Sequence, residues 1–132
     1  MRIVLADDDA GMREVLRSLV AGHLDIEVVG DAADGRAAIE RAQALEPAIV
    51  VMDVAMPGIG GIEATRLLVA ALPAIRVIGL SLHYDRHFVA AMRAAGASGY
   101  LCKDRIHEDL AQALRTVAAG GTWWSAEAEG LG

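Results

Sequence analysis

The chain alternates short, uninterrupted apolar runs with longer amphipathic segments, and this alternation is the feature that most limits its fold. The apolar runs have strand length and few polar residues, so we expect each strand to be buried on both faces, as in a parallel sheet. Parallel strands need long crossover connections, which the segments with helical apolar spacing supply. The pattern predicts an α/β fold with a doubly wound, five-stranded parallel sheet flanked by five helices. The predicted strands are 2–6, 26–30, 48–52, 75–80 and 98–102, and the predicted helices are 11–20, 35–45, 61–72, 86–95 and 106–119.

Composition limits the class of protein further. With 132 residues, of which 55% are hydrophobic and 4% aromatic, we expect one domain with an aliphatic core. The net charge of −6 argues against nucleic-acid binding by this chain and suits a divalent cation or a basic partner. The single cysteine, Cys102, excludes an intrachain disulfide and fits a reducing compartment. Neither a signal peptide nor a membrane span is expected, so we predict a cytoplasmic protein.

Polar residues follow four of the predicted strands at the point where each strand ends. In doubly wound folds these carboxyl ends meet at one edge of the sheet, where functional groups are placed. Clustered carboxylates suit a hard divalent ion such as Mg²⁺, while a hydroxyl and an ammonium group suit the oxygens of a phosphoryl group. The chain has no Walker loop, no dinucleotide-binding glycine motif and no zinc-ligand spacing. The residues concerned are Asp7, Asp8, Asp9, Asp53, Ser81 and Lys103.

These residues lie in motifs that match a known family. M-D-V-A-M-P-G-I-G-G-I-E-A (52–64), the D-D pair at 7–8 and G-A-S-G-Y-L-C-K-D (96–104) together resemble the receiver domain of bacterial response regulators. The resemblance covers residues 2–119 and implies a flavodoxin-like fold that accepts a phosphoryl group, rather than an enzyme with a separate substrate. The G-I-E-A-T-R helix start and the A-A-G-G-T-W tail resemble the NarL/FixJ type, whose members continue into a LuxR-type helix-turn-helix.

The resemblance assigns a Mg²⁺ site and a phosphoacceptor. Asp53 matches the aspartate that accepts the phosphoryl group and also faces the metal. Asp8 resembles the direct Mg²⁺ ligand, Asp7 the acid that acts mainly through water, and the carbonyl of Ala55 the third protein ligand.

Three further residues match the family's signalling groups. Ser81 resembles the switch hydroxyl that moves toward the phosphoryl group, and Lys103 resembles the lysine that pairs with the phosphoryl oxygens. Tyr100 resembles the aromatic residue whose rotamer reports activation, so we expect it to move inward when Ser81 moves.

The resemblance also implies partners and a division of the chain. A sensor histidine kinase is the expected phosphodonor, and a homodimer is expected on phosphorylation. Residues 1–119 are predicted to form the receiver domain and 120–132 a linker or tail toward an output domain that is missing here. We therefore expect no DNA binding by this fragment, DNA binding through that output domain, and no contact with a membrane. Trp123 and Trp124 are expected to pack against the last helix or a partner.

The roles of two residues and two alternative functions stay open at this point. Asp9 is interpreted as a cap of the following helix rather than as a site residue, and the role of His83, two positions past Ser81, is undecided. A haloacid-dehalogenase-type phosphatase would use Asp7 as its nucleophile in a D-x-D motif, but Gly11 departs from that pattern and the chain has no room for a cap domain. An interaction module that works without phosphorylation is the third reading.

Overall fold

Strands and helices alternate along the whole described chain. The computed structural model describes residues 1–82 and 84–125. The strands are β1 (Arg2–Ala6), β2 (Glu27–Ala32), β3 (Ile49–Asp53), β4 (Arg76–Ser81), β5 (Gly99–Cys102) and β6 (Trp123–Trp124). The helices are α1 (Ala10–Val20), α2 (Gly35–Leu45), α3 (Gly61–Ala71), α4 (Arg86–Ala95) and α5 (Ile106–Ala118), and a 3-10 turn at Lys103–Arg105 precedes α5. All pairings are parallel, in the order β2-β1-β3-β4-β5-β6.

The uninterrupted apolar runs are explained by two separate core layers, one on each face of the sheet. In β1, Val4 and Ala6 face the layer formed with α2, α3 and α4. Ile3 and Leu5 face the opposite layer, formed with α1 and α5. Since successive side chains of a strand point to opposite faces, a strand covered on both sides needs apolar residues at every position. The predicted doubly wound parallel sheet is confirmed.

Aspartates are the N-cap residues of three helices. Asp9 Oδ1 accepts hydrogen bonds from the amides of Gly11 (2.8 Å) and Met12 (3.3 Å), which makes it the N-cap of α1, as the sequence predicts. Asp34 and Asp85 cap α2 and α4 in the same way. These caps explain why some of the acidic residues near strand ends serve the helices rather than the site.

The sixth strand was not predicted from the sequence. Trp123 donates its amide to the carbonyl of Ser98 (3.1 Å) and Ser125 donates to that of Tyr100 (3.1 Å), so the segment after α5 pairs with β5. Gly99 permits this approach, because a Cβ there would lie 2.5 Å from the Trp123 carbonyl oxygen. The tryptophan pair therefore forms an edge strand, and Trp123 also packs against the layer that contains α5. A two-residue strand is too short to show a period of two in the sequence.

The edge strand is also held from α4. The guanidinium of Arg93 lies 4.2 Å from the ring centroid of Trp124, a cation–π distance. Trp124 packs against the same apolar layer as Tyr100. Among the described residues, no helix combines the length and the apolar character that crossing a membrane requires.

Candidate functional site

Three carboxylates meet at the carboxyl edge of the sheet. Asp7 and Asp8 directly follow β1, and Asp53 ends the neighbouring strand β3, so the topology brings them together. One carboxylate oxygen of each residue lies within 4.8 Å of those of the other two. Asp7 and Asp53 are buried, whereas Asp8 is exposed. Two carboxylates about 4 Å apart repel by roughly 4 kcal/mol at an effective dielectric of about 20, so this arrangement favours a cation.

Lys103 supplies one positive charge to this cluster. It is the first residue after β5, and its Nζ lies 2.9 Å from Asp7 Oδ2 and 3.6 Å from Asp53 Oδ2. Burial alone would lower the pKa of Lys103, but the hydrogen bond to Asp7 and the charge of Asp53 raise it overall. The side chain is therefore a fixed ammonium between two strand ends.

The carboxyl of Asp53 is held in an unfavourable environment for its charge. Burial raises the pKa of Asp53, and the charges of Asp7 and Asp8 raise it further. The amide of Ala55, which donates to Asp53 Oδ1 at 3.2 Å, and the ammonium of Lys103 oppose this shift. Any added positive charge at this edge would stabilise the ionised carboxylate.

Glycine at the start of α3 lets the helix approach Asp53 closely. A Cβ on Gly61 would lie 2.0 Å from the Asp53 carbonyl oxygen, a distance that no side chain tolerates. The amide of Gly61 donates to the carbonyl of Val54 at 3.3 Å. The loop between Asp53 and α3 is thereby kept short and close to the sheet edge.

The donor set fits a divalent metal ion. All three side chains offer carboxylate oxygens, the ligands that Mg²⁺ prefers, and Lys103 compensates only one of their three negative charges. The exposed position of Asp8 leaves the cluster open to solvent, as an ion that keeps several waters requires. Ala55 lies in the loop after β3 and contacts Asp53 through its amide; its carbonyl as a metal ligand stays a prediction.

A pair of buried hydroxyls lies on the next strands, and we call Ser81 and Tyr100 the hydroxyl pair. Tyr100 is fully buried and its hydroxyl donates to Ser81 Oγ at 2.7 Å. Burial raises the pKa of Tyr100 to about 12, although its hydrogen bond to Ser81 opposes the shift. The sequence predicts that Tyr100 turns inward when Ser81 moves, whereas this structure already has it inside.

Neither His83 nor Arg13 was assigned a role from the sequence. His83 lies outside the described residues, so its role stays undecided. Arg13 was missed by the sequence reasoning: its Nη1 donates to the carbonyl of Asp7 at 2.6 Å. Its position one helical turn after the Asp9 cap was the available signal, because such a side chain lies over the turn that precedes its helix.

With the geometry established, comparison with known proteins identifies the family. Residues 3–115 match the response regulator receiver domain family. The chain belongs to it. The resemblance stated from the motifs is confirmed, and the acidic cluster, Lys103 and the hydroxyl pair all lie within the matched residues of this receiver domain.

Similar proteins include transcriptional regulators. The receiver domain is 37% identical to the transcriptional regulatory protein DegU of Brevibacillus brevis over 93% of this chain and 52% of that protein. It is 38% identical to the response regulator GacA of Pseudomonas protegens over 91% of this chain and 56% of that protein. The chain thus spans about half the length of these relatives.

Solved structures agree with the fold. The crystal structure of a LuxR-family two-component response regulator from Aurantimonas sp. SI85-9A1 superposes with a TM-score of 0.92 at 37% identity, over 97% of this chain and 91% of that chain. The description of that protein agrees with the LuxR-type resemblance of the motifs. The receiver domain of a putative response regulator NarL from Mycobacterium tuberculosis gives a TM-score of 0.86 at 30% identity, over 90% and 96% of the two chains.

Proposed function

We propose that this receiver domain takes a phosphoryl group on Asp53 from a phosphohistidine of a sensor kinase. An oxygen of Asp53 forms the bond to phosphorus as the P–N bond of the phosphohistidine breaks, and the histidine leaves with a proton from solvent. The observation that carries the proposal is the position of Lys103, whose Nζ is 3.6 Å from Asp53 Oδ2. Phosphoryl transfer depends mainly on positioning and charge stabilisation, which a buried carboxylate beside a fixed ammonium provides.

Asp7, Asp8, Asp53 and the carbonyl of Ala55 would hold a Mg²⁺ ion at this site. The bound ion would neutralise charge on the carboxylates and on the phosphoryl oxygens. The chain's own contribution is to favour the ionised form of Asp53 against burial: the Ala55 amide and Lys103 both stabilise its negative charge. Lys103 already contacts two carboxylates, so it has only a short way to move to meet a phosphoryl oxygen.

The test is the intact mass of the protein after incubation with acetyl phosphate and Mg²⁺. The parent is expected to gain the mass of one phosphoryl group, and Asp53→Asn to gain none. Asp104→Asn is the matched control, because it removes an exposed aspartate next to Lys103 without touching the cluster. Phosphorylation of Asp53→Asn to the parent's level would overturn the proposal.

We propose that the hydroxyl pair transmits the change. A phosphoryl group adds a charge of about −1.5 to −2 and three acceptor oxygens, and Ser81 ends the strand beside Asp53. A move of Ser81 has to be matched by Tyr100, because their hydrogen bond lies in the apolar core. Ser81→Ala is therefore expected to accept the phosphoryl group yet lose much of the conformational response, measured by Tyr100 resonances with a beryllofluoride mimic. A full response in Ser81→Ala would refute this route.

We propose that the output is transcriptional control through a domain that follows residues 120–132. Support comes from the regulators that the chain resembles, which are about twice its length. The receiver domain itself, with a net charge of −6, is not expected to bind DNA specifically. A homodimer on phosphorylation and a cytoplasmic location belong to the same proposal. Sedimentation with and without beryllofluoride tests the dimer, and a mobility shift that persists against competitor DNA would contradict the charge argument.

The phosphatase alternative loses its support. The family match is to receiver domains, and Asp7 Oδ1 accepts the amide of Asp9 while Oδ2 faces Lys103. Asp7 is thus fully buried and engaged at both oxygens, which suits a ligand-holding group better than a nucleophile. The intact-mass measurement distinguishes the two functions, since a dehalogenase-type enzyme would be phosphorylated on Asp7 and Asp53→Asn would not change its phosphorylation.

A further inference from the structure

The short turn that carries two of the three site carboxylates is restrained mainly at its two ends. We call residues 7–9 the acid turn. The amide of Asp7 donates to the carbonyl of Ala32 in β2 at 3.0 Å, and the amide of Asp9 donates to Asp7 Oδ1 at 2.9 Å. Both contacts restrain Asp7 and Asp9. Asp8, the residue between them, is exposed and has neither of these contacts, so its direction depends on the peptide that joins it to Asp7.

Arg13 holds that peptide. Its Nη1 donates to the Asp7 carbonyl at 2.6 Å, and its Nε lies 3.5 Å from Asp31 Oδ2 in β2. A peptide unit is planar, so fixing its carbonyl fixes the plane from which the Cα of Asp8 departs. The guanidinium side chain is only 20% exposed, which reduces the screening of these contacts by water.

We infer that Arg13 is a positioning residue for the cation site. It aims the Asp7–Asp8 peptide, by a bridge to Asp31, so that both carboxylates converge with Asp53. The inference rests on the proposed Mg²⁺ site, and it concerns a side chain that contacts no ligand itself. Groups that orient metal ligands from behind typically change metal affinity by about 10–100-fold when they are removed.

The charge of Arg13 and its positioning role predict opposite changes in Mg²⁺ affinity when the guanidinium is removed, which makes the inference testable. As a cation held against the acid turn, Arg13 repels Mg²⁺, so a pure charge effect predicts tighter Mg²⁺ binding in Arg13→Gln. As a clamp it favours Mg²⁺, so its loss predicts weaker binding. Arg17 is the matched control: it also pairs with Asp31, at 3.0 Å, but among the described residues it makes no hydrogen bond or ion pair with the acid turn.

The experiment is Mg²⁺ titration by calorimetry of the intact chain and three variants. Arg13→Gln is expected to bind Mg²⁺ about 10-fold more weakly than the parent or worse, and Arg17→Gln within about 2-fold of it, as suits a group outside the metal's surroundings. Arg13→Lys keeps the charge and can reach the carbonyl, but it lacks the fork that also bridges to Asp31. It is expected to recover part of the affinity, and it serves as the second variant if Arg13→Gln does not fold.

A second readout separates this inference from the proposed function. In protein without Mg²⁺, the amide resonances of Asp8 and Asp9 are expected to shift in Arg13→Gln and to stay in place in Arg17→Gln. If the parent binds no Mg²⁺, the proposed metal site fails, while these resonances still report whether Arg13 orders the turn. Equal or tighter Mg²⁺ binding in Arg13→Gln, or unchanged Asp8 and Asp9 resonances, would overturn the inference.

Discussion

The acid turn and the hydroxyl pair flank Asp53 on opposite sides and are held in different ways. The acid turn is fixed by contacts to the backbone: β2 accepts from Asp7, Asp9 caps α1, and Arg13 holds the Asp7 carbonyl. Within the hydroxyl pair, the contact is between side chains: Tyr100 donates a hydrogen bond of 2.7 Å to Ser81 Oγ, and both residues are buried. Under the proposed function, the first arrangement would hold a cation in place and the second would let two side chains rearrange together.

The largest effect is expected from truncating Tyr100. Tyr100→Ala removes a fully buried aromatic ring and should lower the free energy of unfolding by about 3–5 kcal/mol, as measured by urea denaturation. Tyr84→Ala is the control, because Tyr84 is only half-buried and should lose less. Equal losses of stability in both variants would contradict the prediction that Tyr100 contributes more to core packing than Tyr84 does.

Magnesium should stabilise the protein through the carboxylate cluster and not through the hydroxyl pair. At about 100 times its Kd, Mg²⁺ should add about 2.7 kcal/mol to the free energy of unfolding. Asp8→Asn should abolish most of this gain, whereas Tyr100→Phe and Asp104→Asn should keep it, in thermal denaturation with and without the ion. Loss of the gain in Tyr100→Phe would show that the two sides are coupled even without phosphorylation.

Displacing β6 should affect only the side that carries the hydroxyl pair. Gly99→Ala places a Cβ 2.5 Å from the Trp123 carbonyl and should lower stability by about 1–3 kcal/mol while shifting tryptophan emission to the red. The chain has two tryptophans, both in β6, so the signal is specific. Gly22→Ala, where a Cβ meets nothing within 4 Å, should leave emission unchanged. The prediction fails if Gly99→Ala emits like the parent.

The smallest effect concerns the hydrogen bond of the hydroxyl pair. Tyr100→Phe should cost about 1 kcal/mol, and a double-mutant cycle with Ser81→Ala should show a coupling free energy of similar size. Additive losses would mean that the 2.7 Å contact contributes nothing to stability.

The burial of the Tyr100 hydroxyl gives a pH dependence with a definite sign. Because the pKa of Tyr100 is raised from its ordinary value of 10 to about 12 by burial, its contribution to stability is complete below about pH 10. It is lost as the pH rises toward 12, where the folded state also ionises. The parent should therefore lose stability faster than Tyr100→Phe over this interval in denaturation curves. Parallel curves for the two proteins would contradict the raised pKa.

Structural features that are determined by residues close together in the chain were predicted from the sequence, whereas features that depend on residues far apart in the chain were not. The bounds of α2 (Gly35–Leu45) and α4 (Arg86–Ala95) were predicted to the residue from helical apolar spacing. The structure shows the local causes: an aspartate cap precedes each helix, and Gly96, with φ of 103°, ends α4. The strand β6 was missed, because its pairing depends on room beside Gly99.

At the site, too, some features were predictable from the sequence and others were not. That the acidic residues and Lys103 share one sheet edge follows from strand direction alone, and the structure brings them together. The contact of Arg13 with the Asp7 carbonyl joins residues only six positions apart, so its position on α1 was a signal available in the sequence. Which carboxylate Lys103 contacts depends on the register of neighbouring strands. Register is a three-dimensional property that spacing in one sequence does not reveal.

The parallel direction of β6 has a consequence for how a signal leaves the sheet. Its carboxyl end points to the same edge as Asp53, and Ser125 Oγ lies 3.7 Å from the sulfur of Cys102, the residue before Lys103. The polypeptide therefore leaves the sheet beside the groups that would bind the phosphoryl oxygens. β6 lies one strand spacing, about 4.8 Å, from β5. A displacement of β5 would therefore also move β6 and the point at which the chain leaves the sheet.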